Sequence, residues 1–337
     1  MRAFDNLTRQ VHESGARPDY LAADVELMVG DVRDADAVRR ALGGVDAVVH
    51  LAARVGVGQS MYEIAEYTAA NSLGTAVLLE ALAEAPVRKL VVASSMSVYG
   101  EGLYRTADGS EAEPVARTRE QLERDEWEFS GLEPVPTPES KRLGLASTYA
   151  LTKFGQESAC LVCGAAYGIP TVALRLFNTY GTRQSLSNPY TGVLAIFASR
   201  LLNNRRPRVF EDGLQRRDFV SVHDVVGAFA LALERDGGDG LALNVGSGSS
   251  VTVRSLAVQL AETVGKEIEP QLTGEYRAGD IRHCFADVTL ARETLGFEPQ
   301  VRLEQGMAEL AVWLEGQVPV DRVDAAAAEL KKRGLSL

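Results

Sequence analysis

Short apolar runs alternate with amphipathic stretches over the first two-thirds of the chain. Such alternation is typical of a parallel β-sheet that helices cover on both faces. The runs VDAVVHLAA and KLVVASS are almost continuously apolar, as expected of strands buried on both sides. The pattern predicts strands at Arg2–Asp5, Val25–Val29, Ala47–His50, Lys89–Ser94, Thr171–Arg175 and Leu241–Val245.

Helical periodicity fills the stretches between these strands. It predicts helices at Ala35–Ala41, Tyr62–Glu84, Tyr149–Tyr167, Val225–Glu234 and Val253–Val264, and a last helical segment after Leu303. Residues 180–218 are expected to be rich in loops. The fold class is therefore α/β, a doubly wound parallel sheet followed by a more irregular part.

Residues 101–142 interrupt the alternation. They have no clear period and contain 11 acidic residues against 6 basic ones. A segment of this length in a compact domain is usually a lid, a binding loop or a mobile excursion. The sequence leaves open whether it is a lid near an active site or a surface excursion without a chemical role.

Composition narrows the class of partner. The chain has 337 residues, 46% of them hydrophobic and 24% charged, as in folded globular proteins. No run of about 18 apolar residues is present, so no membrane span is predicted. The net charge of −11 argues against nucleic acid or an anionic membrane surface as a partner. An anionic small ligand would therefore need a local cluster of Arg or Lys.

Cysteine and histidine usage argues against disulfides and metals. Three cysteines, Cys160, Cys163 and Cys284, fit a reducing cytoplasm and not a disulfide scaffold. Cys160 and Cys163 form a CxxC inside a predicted helix, whereas a redox pair lies at a helix N-terminus. We interpret both as small buried hydrophobes. The four histidines are scattered, so no metal site is predicted.

The strongest chemical signal is the pair Tyr149 and Lys153 at the start of a predicted helix. A spacing of four places both side chains on one helical face. A phenol has a pKa of about 10, which is too high for a base at neutral pH. A neighbouring ammonium favours the phenolate, so the pair can remove a proton from a sugar or alcohol hydroxyl.

A second hydroxyl supports this interpretation. The strand KLVVASS ends at Ser94 and Ser95, and side chains at the carboxyl end of a parallel strand face the ligand crevice. Together with HLAA at 50–53 and RLFNTYG at 175–181, Ser95, Tyr149 and Lys153 resemble an extended short-chain dehydrogenase/reductase. More closely, the chain resembles the nucleotide-sugar epimerase/dehydratase group over nearly its whole length.

The resemblance implies a Rossmann-like domain that binds NAD and a smaller α+β domain that binds the substrate. The expected division is 1–179 plus 219–245 for the first domain and 180–218 plus 246–337 for the second. It implies catalytic roles for Ser95, Tyr149 and Lys153, with Tyr149 as the acid/base. It assigns NAD contacts to Asp5, Asp31, Val32, Ala52, Ala53, Tyr149 and Lys153. A carboxylate at Asp5 favours NAD over its 2′-phosphorylated form.

The second half resembles the family's substrate site. Asn178, Arg217 and Arg277 match residues that contact a diphosphate, for which the planar fork of arginine is well suited. Residues 208–213 resemble the strand that binds a pyrimidine base, which favours UDP- or dTDP-sugars. The substrate-binding candidates are Ser95, Ser97, Asn178, Arg217 and Arg277.

The residues after Ser95 help to select the reaction. Family members that eliminate water carry Asp-Glu there, and decarboxylases usually carry Glu at the second position. Here the two residues are Met96 and Ser97, which cannot do this acid/base work. The resemblance therefore favours a 4-epimerase. A ketoreductase, a decarboxylase or a truncated inactive member are the alternatives.

One element of the family is not found in this sequence. The family begins with a strand and a GxxGxxG turn, which seats the NAD pyrophosphate on a helix N-terminus. GVGQS at 56–60 and GSGSS at 246–250 have the wrong spacing or place. We expect the first strand of the sheet to be missing, the sequence to be an incomplete version of a longer protein, and NAD binding to be weak or absent. The resemblance also implies a homodimer through helices 62–84 and 149–167.

Overall fold

A computed structural model describes residues 1–114, 116–190, 192–277 and 280–336. The strands are β1 (Arg2–Asp5), β2 (Glu26–Val29), β3 (Ala47–His50), β4 (Lys89–Ser95), β5 (Leu103–Thr106), β6 (Glu111–Ala112), β7 (Leu132–Val135), β8 (Thr171–Leu176), β9 (Asn178–Tyr180), β10 (Arg208–Val209), β11 (Arg216–Arg217), β12 (Phe219–Ser221), β13 (Ala242–Val245), β14 (Val251–Thr252), β15 (Gln271–Leu272) and β16 (His283–Cys284).

The helices are α1 (Ala35–Leu42), α2 (Val57–Ser60), α3 (Ile64–Tyr67), α4 (Gly74–Glu84), α5 (Arg119–Glu123), α6 (Thr148–Tyr167), α7 (Val193–Leu202), α8 (Val222–Glu234), α9 (Val253–Thr263), α10 (Thr289–Leu295), α11 (Leu303–Leu314) and α12 (Val323–Lys332). A π-helical segment, Thr68–Leu73, joins α3 to α4, and a 3-10 turn, Met96–Tyr99, follows β4. Among the described helices, none has the length and the apolar composition that a membrane span requires.

The centre of the fold is a parallel sheet with the strand order β3–β4–β8–β13. All seven residues of β4 are buried, because helices cover both faces. Val91 packs in the cluster that contains residues of α8 and α10, whereas Leu90 and Val92 pack with α1, α4 and α6. The structure confirms the α/β sheet, and the predicted strands are found to within one residue at each end.

β1 and β2 form a separate parallel pair, with Arg2 opposite Glu26. In the described part of the chain, no strand pairs with the other side of β1, or with β3 on the side away from β4. β3 is accordingly less buried than β4, and Val49 is 37% exposed. The sheet thus has the arrangement expected when no strand lies between β1 and β3.

A second apolar core is formed by residues of α7, α9 and α11. The expectation that residues 180–218 are rich in loops is wrong for α7. This helix buries residues on most of its circumference, including Phe197, Ala198 and Leu201, so its sequence lacks the polar stripe that marks a surface helix. The division into two domains stays a prediction.

Residues 101–142 contain a small antiparallel sheet, β6–β5–β7, and the short helix α5. Because β6 has only two residues and β5 four, these strands are too short to give a recognisable alternation. We call residues 101–142 the insert.

Buried charges fasten the insert to the second half of the chain. The fully buried Arg282 guanidinium contacts Glu211 at 2.8 Å, Asp212 at 2.7 Å and Glu128 of the insert at 2.9 Å. Arg117, also in the insert, lies 2.8 Å from the second carboxylate oxygen of Glu211. The insert is therefore anchored by ion pairs to the second half of the chain. The lid and the surface excursion without a chemical role both stay predictions.

Replacing Arg282 by Met is expected to lower the free energy of unfolding by about 3–5 kcal/mol, because buried Glu211 then lacks one of its cations. Urea unfolding followed by circular dichroism measures this loss. Arg39→Met is the control, since the Arg39–Glu84 pair is exposed and its loss should cost about 0–1 kcal/mol. Similar small losses in both variants would contradict the anchoring role of Arg282.

Candidate active site at the start of helix α6

Three predicted catalytic side chains meet where β4 ends and α6 begins. Ser95 is the last residue of β4, and Tyr149 lies in the first turn of α6. The hydroxyl of Ser147 accepts a hydrogen bond from the Ala150 N–H at 3.1 Å and caps this helix. Lys153 follows one turn later on the same face. Chain order and capping thus fix the phenol, the ammonium and the Ser95 hydroxyl relative to one another.

The phenol of Tyr149 is buried, and burial raises its pKa to about 12, although a hydrogen bond with the Ser95 side chain lowers it. Ser95 Oγ also accepts hydrogen bonds from Ser97, from its N–H at 3.2 Å and its Oγ at 2.9 Å. Ser97 thus lies beside Ser95, and the structure brings these two candidate substrate-binding residues together. The sequence predicts that Lys153 favours the phenolate, but in this structure burial dominates. The described residues therefore keep Tyr149 protonated at neutral pH.

Burial acts in the opposite direction on Lys153, lowering its pKa to about 8. Its Nζ donates a hydrogen bond to Gln156 Oε1 at 2.9 Å. The neighbouring Glu157 carboxylate instead contacts Arg175 at 2.6 Å. The ammonium therefore has a neutral amide, and not a carboxylate, as its direct partner.

The site is also supported by residues that the sequence pattern does not identify. Ser60 Oγ accepts a hydrogen bond from the Tyr149 N–H at 3.0 Å, and Asn71 Nδ2 donates to Thr152 Oγ1 at 3.0 Å. These partners are 89 and 81 residues apart in the chain, so no local pattern connects them. Asn71 lies in the π-helical segment, a distortion that is frequent at functional sites. For Gln156 a signal exists, since it lies three residues after Lys153 on the same helix.

Two predicted cofactor residues follow adjacent strands. Asp5 ends β1, and one of its carboxylate oxygens accepts a hydrogen bond from the Leu7 N–H at 2.6 Å. Asp31 follows β2, and its side-chain hydrogen bond with Arg33, at 2.8 Å, is the main cause that lowers its pKa to about 2. Both carboxylates lie at the carboxyl edge of this strand pair, and the side chain of Asp5 is about half exposed. Val32 packs at the start of α4, where a side chain on Gly74 would lie 2.5 Å from its Cγ2.

Ala52 and Ala53 follow β3 and are half-buried. The Ala52 carbonyl accepts a hydrogen bond from Gln156 Nε2 at 3.3 Å. The structure thus brings this backbone next to the network that holds Lys153.

The two candidate diphosphate arginines converge on one segment. Arg217 donates hydrogen bonds to the carbonyls of Ile281 and Arg282, the latter at 2.8 Å. Arg277 makes two hydrogen bonds of 3.0 Å to Asp280. The guanidinium of Arg217 is therefore bound to neutral carbonyls, and that of Arg277 is paired with a carboxylate that a phosphate would have to displace.

Asn178 lies at the start of β9, which pairs with β12 two residues beyond Arg217. Its Oδ1 is buried and has no hydrogen-bond partner among the described residues. An unpaired buried amide oxygen is costly, so this atom suits a ligand that donates a hydrogen bond.

Helix α2 lies between Arg277 and Tyr149, and Leu330 of α12 packs against the same place. Gly58 and Met61 line one small cavity together with Arg277, Leu330 and the residues Val57, Asp280 and Leu335. The α2 residue Ser60 in turn contacts Tyr149. The sequence predicts a last helical segment after Leu303 but not that α12 reaches this cavity.

Comparison with known proteins identifies the family of this chain. The model of the NAD dependent epimerase/dehydratase family matches residues 2–121 and 129–246. The chain belongs to this family. It is 36% identical to the dTDP-L-rhamnose 4-epimerase of Burkholderia thailandensis, over 92% of this chain and 87% of that protein.

Solved structures of epimerase/dehydratase proteins have the same fold. The UDP-glucose 4-epimerase of Thermotoga maritima, solved with UDP-glucose, is 30% identical with a TM-score of 0.76, covering 93% of this chain and 90% of that one. The dTDP-glucose 4,6-dehydratase DesIV of Streptomyces venezuelae, solved with NAD bound, is 25% identical with a TM-score of 0.76. It covers 93% of this chain and 87% of that one. The Rossmann fold predicted from the sequence is confirmed, whereas the fold alone does not separate epimerase from dehydratase.

NAD is the cofactor of the family. Lys153 and Asp5, which lie at the two ends of the expected NAD site, have the chemistry to bind its two riboses. Lys153 has three donors and one described acceptor, which leaves donors for ribose hydroxyls. Asp5, whose side chain is 49% exposed, can accept from the other ribose. The described residues contain no glycine-rich turn between a strand and a helix for the pyrophosphate. The glycines of GSGSS cannot replace it, because the amides of Ser247 and Gly248 bind the Asp218 carboxylate.

Proposed function

We propose that this protein is an NAD-dependent nucleotide-sugar 4-epimerase that acts on a UDP- or dTDP-hexose by transient oxidation at C4 and hydride return to the opposite face. The observation that carries the proposal is the placement of Tyr149, Ser95 and Lys153 around one buried point at the end of β4. The similarity to named 4-epimerases supports the same reaction.

In this reaction the chain's own residues move one proton. Tyr149 receives the proton of the C4 hydroxyl. It returns this proton after the keto-sugar has rotated and presents its opposite face. Ser95 holds the reacting oxygen, since Ser97 already donates two hydrogen bonds to Ser95 Oγ and leaves the Ser95 proton to be shared. Lys153 holds the nicotinamide ribose. NAD, when bound, supplies the hydride acceptor, and its positive charge favours the Tyr149 phenolate that burial opposes.

The turn after β4 argues against loss of water. Elimination needs an acid and a base beside the sugar, and residues 96 and 97 are Met96 and Ser97. Met96 is buried, and Ser97 is committed to Ser95. The nearest acid along the chain, Glu101, accepts hydrogen bonds from the Arg282 N–H and the Tyr104 hydroxyl. A 4-epimerase needs no such pair, so these residues support it over a dehydratase.

The substrate class follows from the second half of the site. Arg217 and Arg277 supply the local positive charge that a diphosphate needs in a chain of net charge −11. Arg277 also lies 4.6 Å from the centroid of the Phe210 ring, on the segment expected to bind the base. We therefore propose a nucleoside diphosphate-linked sugar as substrate.

Tyr149→Phe is expected to lower turnover of the nucleotide sugar by about 10²–10⁴-fold, because it removes the proton carrier and little volume. NAD affinity should change little. Tyr167→Phe, at the exposed end of the same helix, is the matched control and should keep wild-type turnover. Unchanged turnover in Tyr149→Phe, measured by chromatography of the sugar nucleotides, would exclude Tyr149 from the mechanism.

Arg217→Lys is expected to weaken binding of UDP or dTDP by about tenfold or more, since a lysine cannot reproduce a planar fork that donates in two directions. Isothermal titration with the nucleoside diphosphate alone measures this without catalysis. Arg39→Lys, an exposed arginine of α1, serves as the control. A dissociation constant equal to that of the wild type would remove Arg217 from the substrate site.

We also propose a homodimer through residues 62–84 and 149–167. These helices carry large apolar side chains that are about half exposed or more, Ile64, Leu73, Leu151 and Val162. The double variant Leu151→Glu/Val162→Glu is expected to be monomeric by light scattering, because it places charge in the interface. Val226→Glu on α8, equally exposed, should leave the mass unchanged. A wild-type protein that is itself monomeric would overturn this proposal.

A further inference from the structure

The direct partner of Lys153 is unusual for a buried cation. Lys153 is 3% exposed and Gln156 is 1% exposed, and the two side chains are joined by one hydrogen bond of 2.9 Å. An ammonium only donates hydrogen bonds, so the amide oxygen of Gln156 must face it. A neutral acceptor solvates the ammonium but cannot cancel its charge.

The amide of Gln156 is itself held in one orientation. Its Nε2 lies 2.8 Å from Thr75 Oγ1, 3.1 Å from His50 Nε2 and 3.3 Å from the Ala52 carbonyl. All three are potential acceptors, and they come from β3, from the loop after it and from α4. The amide nitrogen is thus tied to acceptors on the opposite side from Lys153, which prevents the amide from turning over.

No other described ionisable group forms an ion pair with Lys153, although the charge of Glu157 raises the pKa of its ammonium. Glu157 is hydrogen-bonded to Arg175 and to the Ser94 hydroxyl. Burial raises the pKa of the Cys160 thiol to about 12, and burial lowers that of His50 to about 3, so both are uncharged at neutral pH. Tyr149, on the preceding turn, is also protonated there.

We infer that Gln156 is a positioning residue of this site: its amide oxygen holds the Lys153 ammonium one helical turn from Tyr149 and takes the place that a carboxylate would otherwise occupy. The catalytic part of this inference rests on the proposed epimerase function. The physical part, the coupling of Gln156 to the charge of Lys153, does not depend on it.

Two substitutions shift the charge of Lys153 in opposite directions. Gln156→Glu places a carboxylate at the same distance and raises the Lys153 pKa. Gln156→Met removes the acceptor and lowers it further. A merely structural role of Gln156 would instead make both variants differ from the wild type in the same direction.

The pH dependence of protein stability measures the shift of the Lys153 pKa without catalysis. Because the pKa of Lys153 is lower in the folded than in the unfolded protein, the unfolded state binds more protons above pH 8, and stability from this group rises with pH up to about 10.5. The urea midpoint should therefore rise between pH 7 and 10 most in Gln156→Met, less in the wild type and least in Gln156→Glu. Lys153→Met gives the baseline without the ammonium. Gln259→Glu, the same substitution on α9, should follow the wild type.

Activity gives the second measurement. The alkaline limb of the kcat/KM profile should move up by about one pH unit in Gln156→Glu and down by a similar amount in Gln156→Met. Parallel stability curves in both variants and the wild type would overturn the inference. If no form of the protein turns over sugar nucleotides while the stability curves diverge as stated, the proposed function fails and the coupling of Gln156 to Lys153 stands.

Discussion

Burial of the Lys153 ammonium without a carboxylate partner is the constraint on which the arrangement of the site depends. An isolated charge in a protein interior is costly, and the cost appears as a pKa lowered to about 8. The surroundings reduce this cost with dipoles, through the Gln156 amide and its contacts to β3 and α4. The nearest carboxylate, Glu157, is meanwhile bound to Arg175. The environment of the ammonium thus depends on how the sheet, α4 and α6 pack together.

Charge is distributed differently at the other end of the site. There Arg282 is fully buried among three carboxylates, and it binds the insert to the segment that carries Arg277. The insert also reaches this segment directly, because Arg117 donates to the Asp280 carbonyl. The acidic insert thus contacts the segment proposed to bind a diphosphate, although it supplies no candidate ligand itself.

The sequence was sufficient for the features that depend on local pattern. The strands of the central sheet, the helix of Tyr149 and Lys153, and the position of Ser95 at a strand end all follow from short-range periodicity and spacing. The structure of the insert could not be predicted, because Glu128 and Arg282 are 154 residues apart and the insert's strands are very short. The protonation of Tyr149 could not be predicted either, since spacing indicates a neighbouring ammonium but does not measure burial. For α7, burial on most of its circumference removed the polar stripe by which a surface helix is recognised.

A 4-epimerase inverts C4 of a nucleotide sugar without net oxidation, and this is the reaction proposed for the site. Its most direct test is incubation of UDP- and dTDP-hexoses with the protein and added NAD in D₂O, followed by proton NMR of the sugar. We expect inverted configuration at C4 with the original C4 hydrogen retained, because hydride leaves and returns within the site. A product that has lost water or carbon dioxide, or that carries deuterium at C4, would contradict it.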